Sequence, residues 1–157
     1  MKEQVIFSSN IKFSKRFMSN FKWSLIFTPV LIAFLIATPI NFNEIIYNIH
    51  YLIIVFLLAS TSYISYQRGK YYIQEIKLNE NKISLIVLRF NSIHINEEYE
   101  IDKIKIFKKA LNSKHPRFKL QISYMGKIII SQFDASDWDE KMMDSVIGRF
   151  NELCYGK

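Results

Sequence analysis

The sequence predicts a membrane α-helical hairpin joined to an α+β domain that is mainly β: an antiparallel curved sheet or partly open barrel with one C-terminal helix. Two observations support this fold class. Between Trp23 and Tyr66 the one charged residue is Glu44, and about 20 consecutive apolar residues suffice to cross a bilayer as a helix. From Gln67 onward charged residues recur every few positions, and short runs rich in Ile and Tyr are broken by Asn, Gly and Ser.

Three segments follow from this division: a basic N-terminal segment at 1–22, a two-helix transmembrane hairpin at 23–66, and a cytoplasmic domain at 67–157. The two predicted helices cover about 23–40 and about 45–66. The polar turn between them is short, so the helices are expected to run antiparallel.

Basic residues flank the apolar region on both sides. The first predicted helix is preceded by Lys12, Lys15, Arg16 and Lys22, and the second is followed by Arg68 and Lys70. The turn between the helices has no Lys or Arg. Since cytoplasmic loops of membrane proteins are rich in Lys and Arg, we expect a multi-pass protein of the cell membrane with both termini in the cytoplasm. Two alternatives stay open, a cleaved signal peptide and a buried helical hairpin of a water-soluble protein.

The domain is predicted to contain six strands between about 71 and 133. Each is a run of β-branched and aromatic residues bounded by turn residues, and Met125-Gly126 is a two-residue turn in which Gly supplies a positive φ. The predicted strands are 71–78, 82–89, 93–101, 102–109, 117–124 and 127–133.

A helix over about 136–153 is predicted to follow the strands. Ser136 is placed to cap it, with Asp134 as a rival cap. Apolar residues recur at the three- and four-residue spacing of one helical face, which predicts packing against a sheet. These residues are Trp138, Met142, Val146, Phe150 and Leu153.

Strands followed by one terminal amphipathic helix resemble the pleckstrin-homology-like (PH-like) domain. With the basic N-terminal stretch and the predicted hairpin, the chain looks like bacterial membrane proteins that carry a PH-like or YcxB-like C-terminal domain. Residues 97–109, EEYEIDKIKIFKK, carry the most specific local likeness: a strand, a polar bend and an Ile-rich strand. The resemblance implies seven strands, so one short strand is missed or absent among the six predicted.

No residue pattern predicts catalysis, a metal or a cofactor, and we expect no enzyme. The glycines are too dispersed for a phosphate-binding loop. Cys154 has no His near it in the sequence, and His50 lies about one turn from the predicted outer boundary, which favours an interfacial role. Glu98, Glu100 and Asp102 alternate as residues on one face of a strand do, which could bind a cation but is more typical of a solvated face.

A basic stripe is the candidate binding site. Lys103 and Lys105 alternate with Ile, as Arg117 and Lys119 alternate with Phe and Leu, so pairing of their strands would place four cations on one face. The leading hypothesis is a membrane-anchored, non-enzymatic interaction module that binds a protein partner or itself beside the bilayer. Anionic-lipid headgroup binding by the stripe and an accessory role in a membrane enzyme or transporter are the alternatives. Nucleic acid is not expected as a partner.

Overall fold

The computed structural model describes residues 3–37, 44–111 and 117–156. Within them the strands form two antiparallel sheets, ordered β1-β2-β3-β4 and β5-β6-β7. A 3-10 helix at Ile101–Lys103 separates β4 from β5. The elements in chain order are β1 (Gln4–Ser8), α1 (Phe13–Ala37), α2 (Glu44–Lys70), β2 (Tyr71–Asn79), β3 (Lys82–Arg89), β4 (Ser92–Glu100), β5 (Ile104–Ala110), β6 (Phe118–Tyr124), β7 (Lys127–Phe133) and α3 (Glu140–Tyr155).

β1 is the strand that the sequence did not predict. It lies within the segment expected to be only a basic N-terminal stretch, and it pairs antiparallel with β2, with Val5 opposite Lys77 and Phe7 opposite Ile76. The described residues therefore form seven strands. Both helices α1 and α2 come between two strands that are neighbours in one sheet.

The predicted transmembrane hairpin is wrong. The helices α1 and α2 do pack against one another, but in the part of the chain that the structure describes no helix is long and apolar enough to cross a membrane. The helices also differ from the predicted spans. Helix α1 begins at Phe13, so it includes Lys15, Arg16 and Lys22. The predicted assignment as a multi-pass protein of the cell membrane is wrong for the same reason. The predicted turn between the helices lies largely outside the described residues.

Helices α1 and α2 lie close together at Gly69 near the C-terminal end of α2. A Cβ atom added there would lie 3.3 Å from the ring of Phe13 and 3.6 Å from the backbone nitrogen of Phe17. Further along the pair, several large apolar side chains are exposed and lie apart from the core of the sheets. They are Ile26, Val30, Leu52, Val55, Phe56 and Ile64.

The core lies between the two sheets and α3. Every second residue of a strand points inward, as the two-residue period of a strand requires. Helix α3 packs on β1, β5 and β6. Trp138 is fully buried and its ring lies 4.1 Å from that of Phe7, so β1 is part of the core rather than an appendage. Other fully buried core residues are Ile73, Ile76, Ile83, Leu85, Ile104, Leu120, Ile122 and Met143.

The start of α3 differs from the prediction. Asp139 caps the helix, because its carboxylate accepts a hydrogen bond of 2.7 Å from the backbone N–H of Met142. Ser136, the predicted cap, lies in the preceding turn with a φ of 59°. Trp138 also precedes the helix, in an isolated bridge with Ala135. The helix therefore begins later than predicted.

A buried polar cluster joins α1 to β2 and to the turn before α3. The Arg16 guanidinium donates to the carbonyl of Phe90 and lies 4.6 Å from the centre of the Tyr72 ring. The Tyr72 hydroxyl lies 2.6 Å from the carboxylate of Asp137 and 2.8 Å from the hydroxyl of Ser9. Burial raises the pKa of Tyr72, as does its hydrogen bond to Asp137. Four separate segments of the chain thus meet at one tyrosine.

Candidate interaction site on the three-stranded sheet

The outer face of the sheet β5-β6-β7 carries a cluster of cations. Ile104 and Ile106 of β5 are buried, so Lys105, Phe107 and Lys109, which alternate with them, point away from the core. All three are exposed. One edge of this sheet is therefore lined with two lysines that flank an aromatic ring.

The neighbouring strand adds to this face. In β6 the side chains of Leu120 and Ile122 are buried toward the core, and half-buried Lys119 lies directly opposite Lys109 of β5. Gln121 and Ser123, which lie opposite Phe107 and Lys105, are buried. We call the outward-facing group Lys105, Phe107, Lys109 and Lys119 the basic face.

Two of the four residues predicted as the basic stripe belong to this face. Lys105 and Lys119 lie on paired strands but four positions apart, because Lys105 is opposite Ser123 and Lys119 is opposite Lys109. Exposed Arg117 immediately precedes β6. Lys103 is not part of it, because it lies in the 3-10 helix and forms an ion pair with Glu100. The hydrogen bond to Glu100 raises the pKa of Lys103.

Lys109 joins the basic face and Lys108 does not, although both are adjacent in sequence. Lys108 forms ion pairs of 3.1 Å with Glu140 and 2.6 Å with Asp144, both on α3. Its side chain thereby connects β5 to the helix. The alternation Lys105, Phe107, Lys109 was visible in the sequence, within the strand predicted at 102–109.

The basic face contains no acidic side chain. The strands β5, β6 and β7 include no Asp or Glu, and among the described residues no ion pair involves Lys105, Lys109 or Lys119. Lys119 instead lies 5.9 Å from the centre of the Phe133 ring. The positive charge of this face is therefore not neutralised within the described residues.

Asp134 is an acidic residue that immediately follows β7, the third strand of this sheet. Burial raises the pKa of its carboxyl, and the positive charges of Arg68 and Arg117 oppose that rise. One carboxylate oxygen, Oδ1, is buried without a hydrogen-bond partner in the described part of the molecule. Burial also lowers the pKa of Arg68, and the nearby charge of Arg117 adds to this effect.

The described residues contain no group of three His, Cys, Asp or Glu side chains arranged to hold a metal ion. Glu98 lies 3.4 Å from Lys82, and Asp102 is in the 3-10 helix rather than on the strand. Burial raises the pKa of Cys154, which disfavours the nucleophilic thiolate. The side chain of His50 lies outside the described part of the structure.

Comparisons with models of protein families, with curated proteins and with solved structures each gave no match. The resemblance to PH-like domains therefore stays a prediction.

Proposed function

We propose that this chain is a non-enzymatic interaction module that binds an acidic segment of a protein partner through the basic face. The supporting observation is the group formed by exposed Lys105 and Lys109 with half-buried Lys119, on strands that include no Asp or Glu. Like charges held together on a rigid sheet repel one another. An anionic partner relieves that repulsion, so charge complementarity favours it.

Phe107 favours a protein segment as the anionic partner. Its ring is 38 % exposed and lies between the two lysines of β5. An apolar ring surrounded by polar groups is the usual composition of a protein interface, in which an aromatic anchor supplies affinity and the surrounding charges supply selectivity. A partner with acidic residues on both sides of an apolar residue would match this arrangement.

A comparison of three anionic probes tests the class of partner. The full chain is titrated with a fluorescent peptide of alternating Glu and Leu, with a single-stranded oligonucleotide, and with vesicles of anionic lipid at equal concentration of negative charge. We expect the peptide to bind most tightly and its affinity to fall with added salt, since exposed charges are screened over about 10 Å at 0.1 M salt.

Substitution of Leu by Ser in the peptide provides the control, because it leaves the negative charge unchanged. Weaker binding of the Ser peptide is expected if Phe107 contributes an apolar contact. Tighter binding of the oligonucleotide or the vesicles would contradict the proposal.

A further inference from the structure

Strand β4 forms one edge of the four-stranded sheet. It pairs with β3 along its whole length, from Lys82 opposite Glu100 to Arg89 opposite Ser92. No strand in the described residues pairs with its other side. The backbone N–H and C=O groups on that side are consequently free of ladder hydrogen bonds, and an edge of this kind can pair with an additional strand.

The other strand edges have further contacts. The carbonyl of Ile6 in β1 accepts a hydrogen bond of 3.4 Å from Arg149 of α3, Lys108 ties β5 to α3, and β7 packs on β2 and α2. By contrast, β4 is exposed at seven of its nine positions, and Ile93 is 63 % exposed. It is the most accessible edge among the described strands.

The register with β3 assigns the β4 side chains to two faces. Tyr99, Glu97 and Ile95 lie opposite Ile83, Leu85 and Val87 of β3, which are fully buried, so these three β4 residues share the core side of the sheet. Three alternating residues therefore lie on the opposite face, namely Asn96, Glu98 and Glu100.

We propose that the β4 edge binds an extended peptide with basic residues at alternate positions, which adds to the sheet as a fifth strand. Its basic side chains lie beside Glu98 and Glu100, and the residue between them is apolar and lies beside Tyr99. Main-chain hydrogen bonds supply affinity in this mode of recognition, and alternate side chains supply specificity.

The negative charge of β4 favours a basic peptide over a second copy of this edge. Glu97, Glu98 and Glu100 are all exposed. Glu98 pairs with Lys82 and Glu100 with Lys103, but both pairs are at the surface, where ion pairs contribute little and can be exchanged for a basic side chain of the peptide. Two copies of this edge would repel one another in many registers, since like charges directly opposite across a strand pair are destabilising. A basic strand is attracted instead. This site lies on the sheet that does not carry the basic face, so either proposal can fail without the other.

The full chain is titrated into a fluorescent peptide of alternating Lys and Val at low salt. Binding is measured by the fluorescence anisotropy of the peptide. A second peptide has the same sequence with N-methyl groups on alternate residues along one edge, and a third has the same N-methyl groups along the other edge. N-methylation removes backbone donors and leaves side-chain charge unchanged. We expect one N-methylated peptide to bind about tenfold more weakly and the other to bind normally.

Two variants locate the site. Glu98→Lys is expected to weaken binding of the unmodified peptide about fivefold, as loss of an exposed ion pair allows. Glu152→Lys, the same change at an exposed residue of α3, is expected to leave binding unchanged. Equal weakening by both variants, or equal binding of all three peptides, would overturn the proposal.

Discussion

Arg16 is a charged residue that the fold buries almost completely, since its side chain is 1 % exposed. One guanidinium nitrogen donates to the carbonyl of Phe90, and the nitrogens Nε and Nη1 are buried without a partner in the described residues. Burial lowers the pKa of Arg16, whereas the charge of Asp137 opposes this change. The side chain therefore fills space and supplies one hydrogen bond, at a high cost of desolvation.

Two substitutions at Arg16 separate these effects. Arg16→Ala is expected to lower the free energy of unfolding by about 3 kcal/mol, because it removes the hydrogen bond and leaves a cavity. Arg16→Met keeps most of the volume and removes the desolvation cost, so we expect a loss of about 1 kcal/mol or less. Urea denaturation measures both. Equal losses in the two variants would contradict this account of Arg16.

Asp134 gives a pH-dependent prediction. Burial in the folded protein raises the pKa of its carboxyl above the ordinary value of 3.8, so folding favours the protonated form. The stabilising contribution of Asp134 is therefore fully present below its ordinary pKa. It is lost as the pH rises through the pKa that Asp134 has in the folded protein. Asp134→Asn does not titrate, so it should be more stable than the wild type at pH 7.

The size of this difference should depend on pH. Paired urea titrations from acidic to neutral pH are expected to show that the advantage of Asp134→Asn grows as the pH rises and then levels off. An advantage that is the same at every pH would indicate a cause other than ionisation of Asp134.

The sequence predicted correctly the role of residues that act through their immediate neighbours in the chain. The Met125-Gly126 turn forms as expected, and Gly126 has a φ of 78°. The role of Arg16 was not predictable, because its acceptor Phe90 is 74 positions away in the sequence. Its positive charge was interpreted as a topology signal, and nothing adjacent in the sequence indicates burial.

At the scale of elements, the cap of α3 can be tested directly. Asp139→Ala removes the acceptor for the Met142 backbone N–H and is expected to cost about 1 kcal/mol of stability. Ser136→Ala is the matched control: its hydroxyl has no hydrogen-bond partner among the described residues, so we expect a change within about 0.5 kcal/mol. Thermal unfolding of both variants provides the comparison. A larger loss at Ser136 would restore it as the cap.

The strands were predicted well and the helices poorly, for different physical reasons. Strands β3 and β7 have the predicted bounds, because alternation and turn residues are local signals. β1 has five residues, too few for a clear pattern, and its partner β2 is distant in sequence. The apolar runs were judged by composition alone, whereas α1 also includes the basic residues before Trp23.

At the scale of the whole molecule, the sheet depends on a strand separated from its neighbour by two helices. Phe7 on β1 is 6 % exposed and packs against Trp138. Phe7→Ala is expected to cost about 3–5 kcal/mol of stability, as for other buried aromatic residues. Val5 on the same strand is 50 % exposed, and Val5→Ala should cost about 0.5 kcal/mol or less.

Denaturant midpoints of the two variants test whether β1 is integral to the fold. A small loss for Phe7→Ala would mean that β1 contributes little to the core.

The candidate site was predictable in part. Alternation identified Lys105 and Lys119, and the pairing of their strands is the expected one. Lys103 was wrongly placed with them, because the 3-10 helix that directs it toward Glu100 depends on the connection between the two sheets rather than on local alternation. The acidic residues of β4 were recognised as a charged face, but their position on an open sheet edge follows only from the strand order.

Charge reversal tests most directly whether the basic face binds an acidic protein segment. The peptide of alternating Glu and Leu is titrated into Lys105→Glu/Lys109→Glu and into Lys15→Glu/Lys141→Glu, which makes the same change at exposed residues of α1 and α3. We predict that the first variant binds about tenfold more weakly than the wild type and that the second binds almost as well. Equal affinity of the two variants would contradict the account.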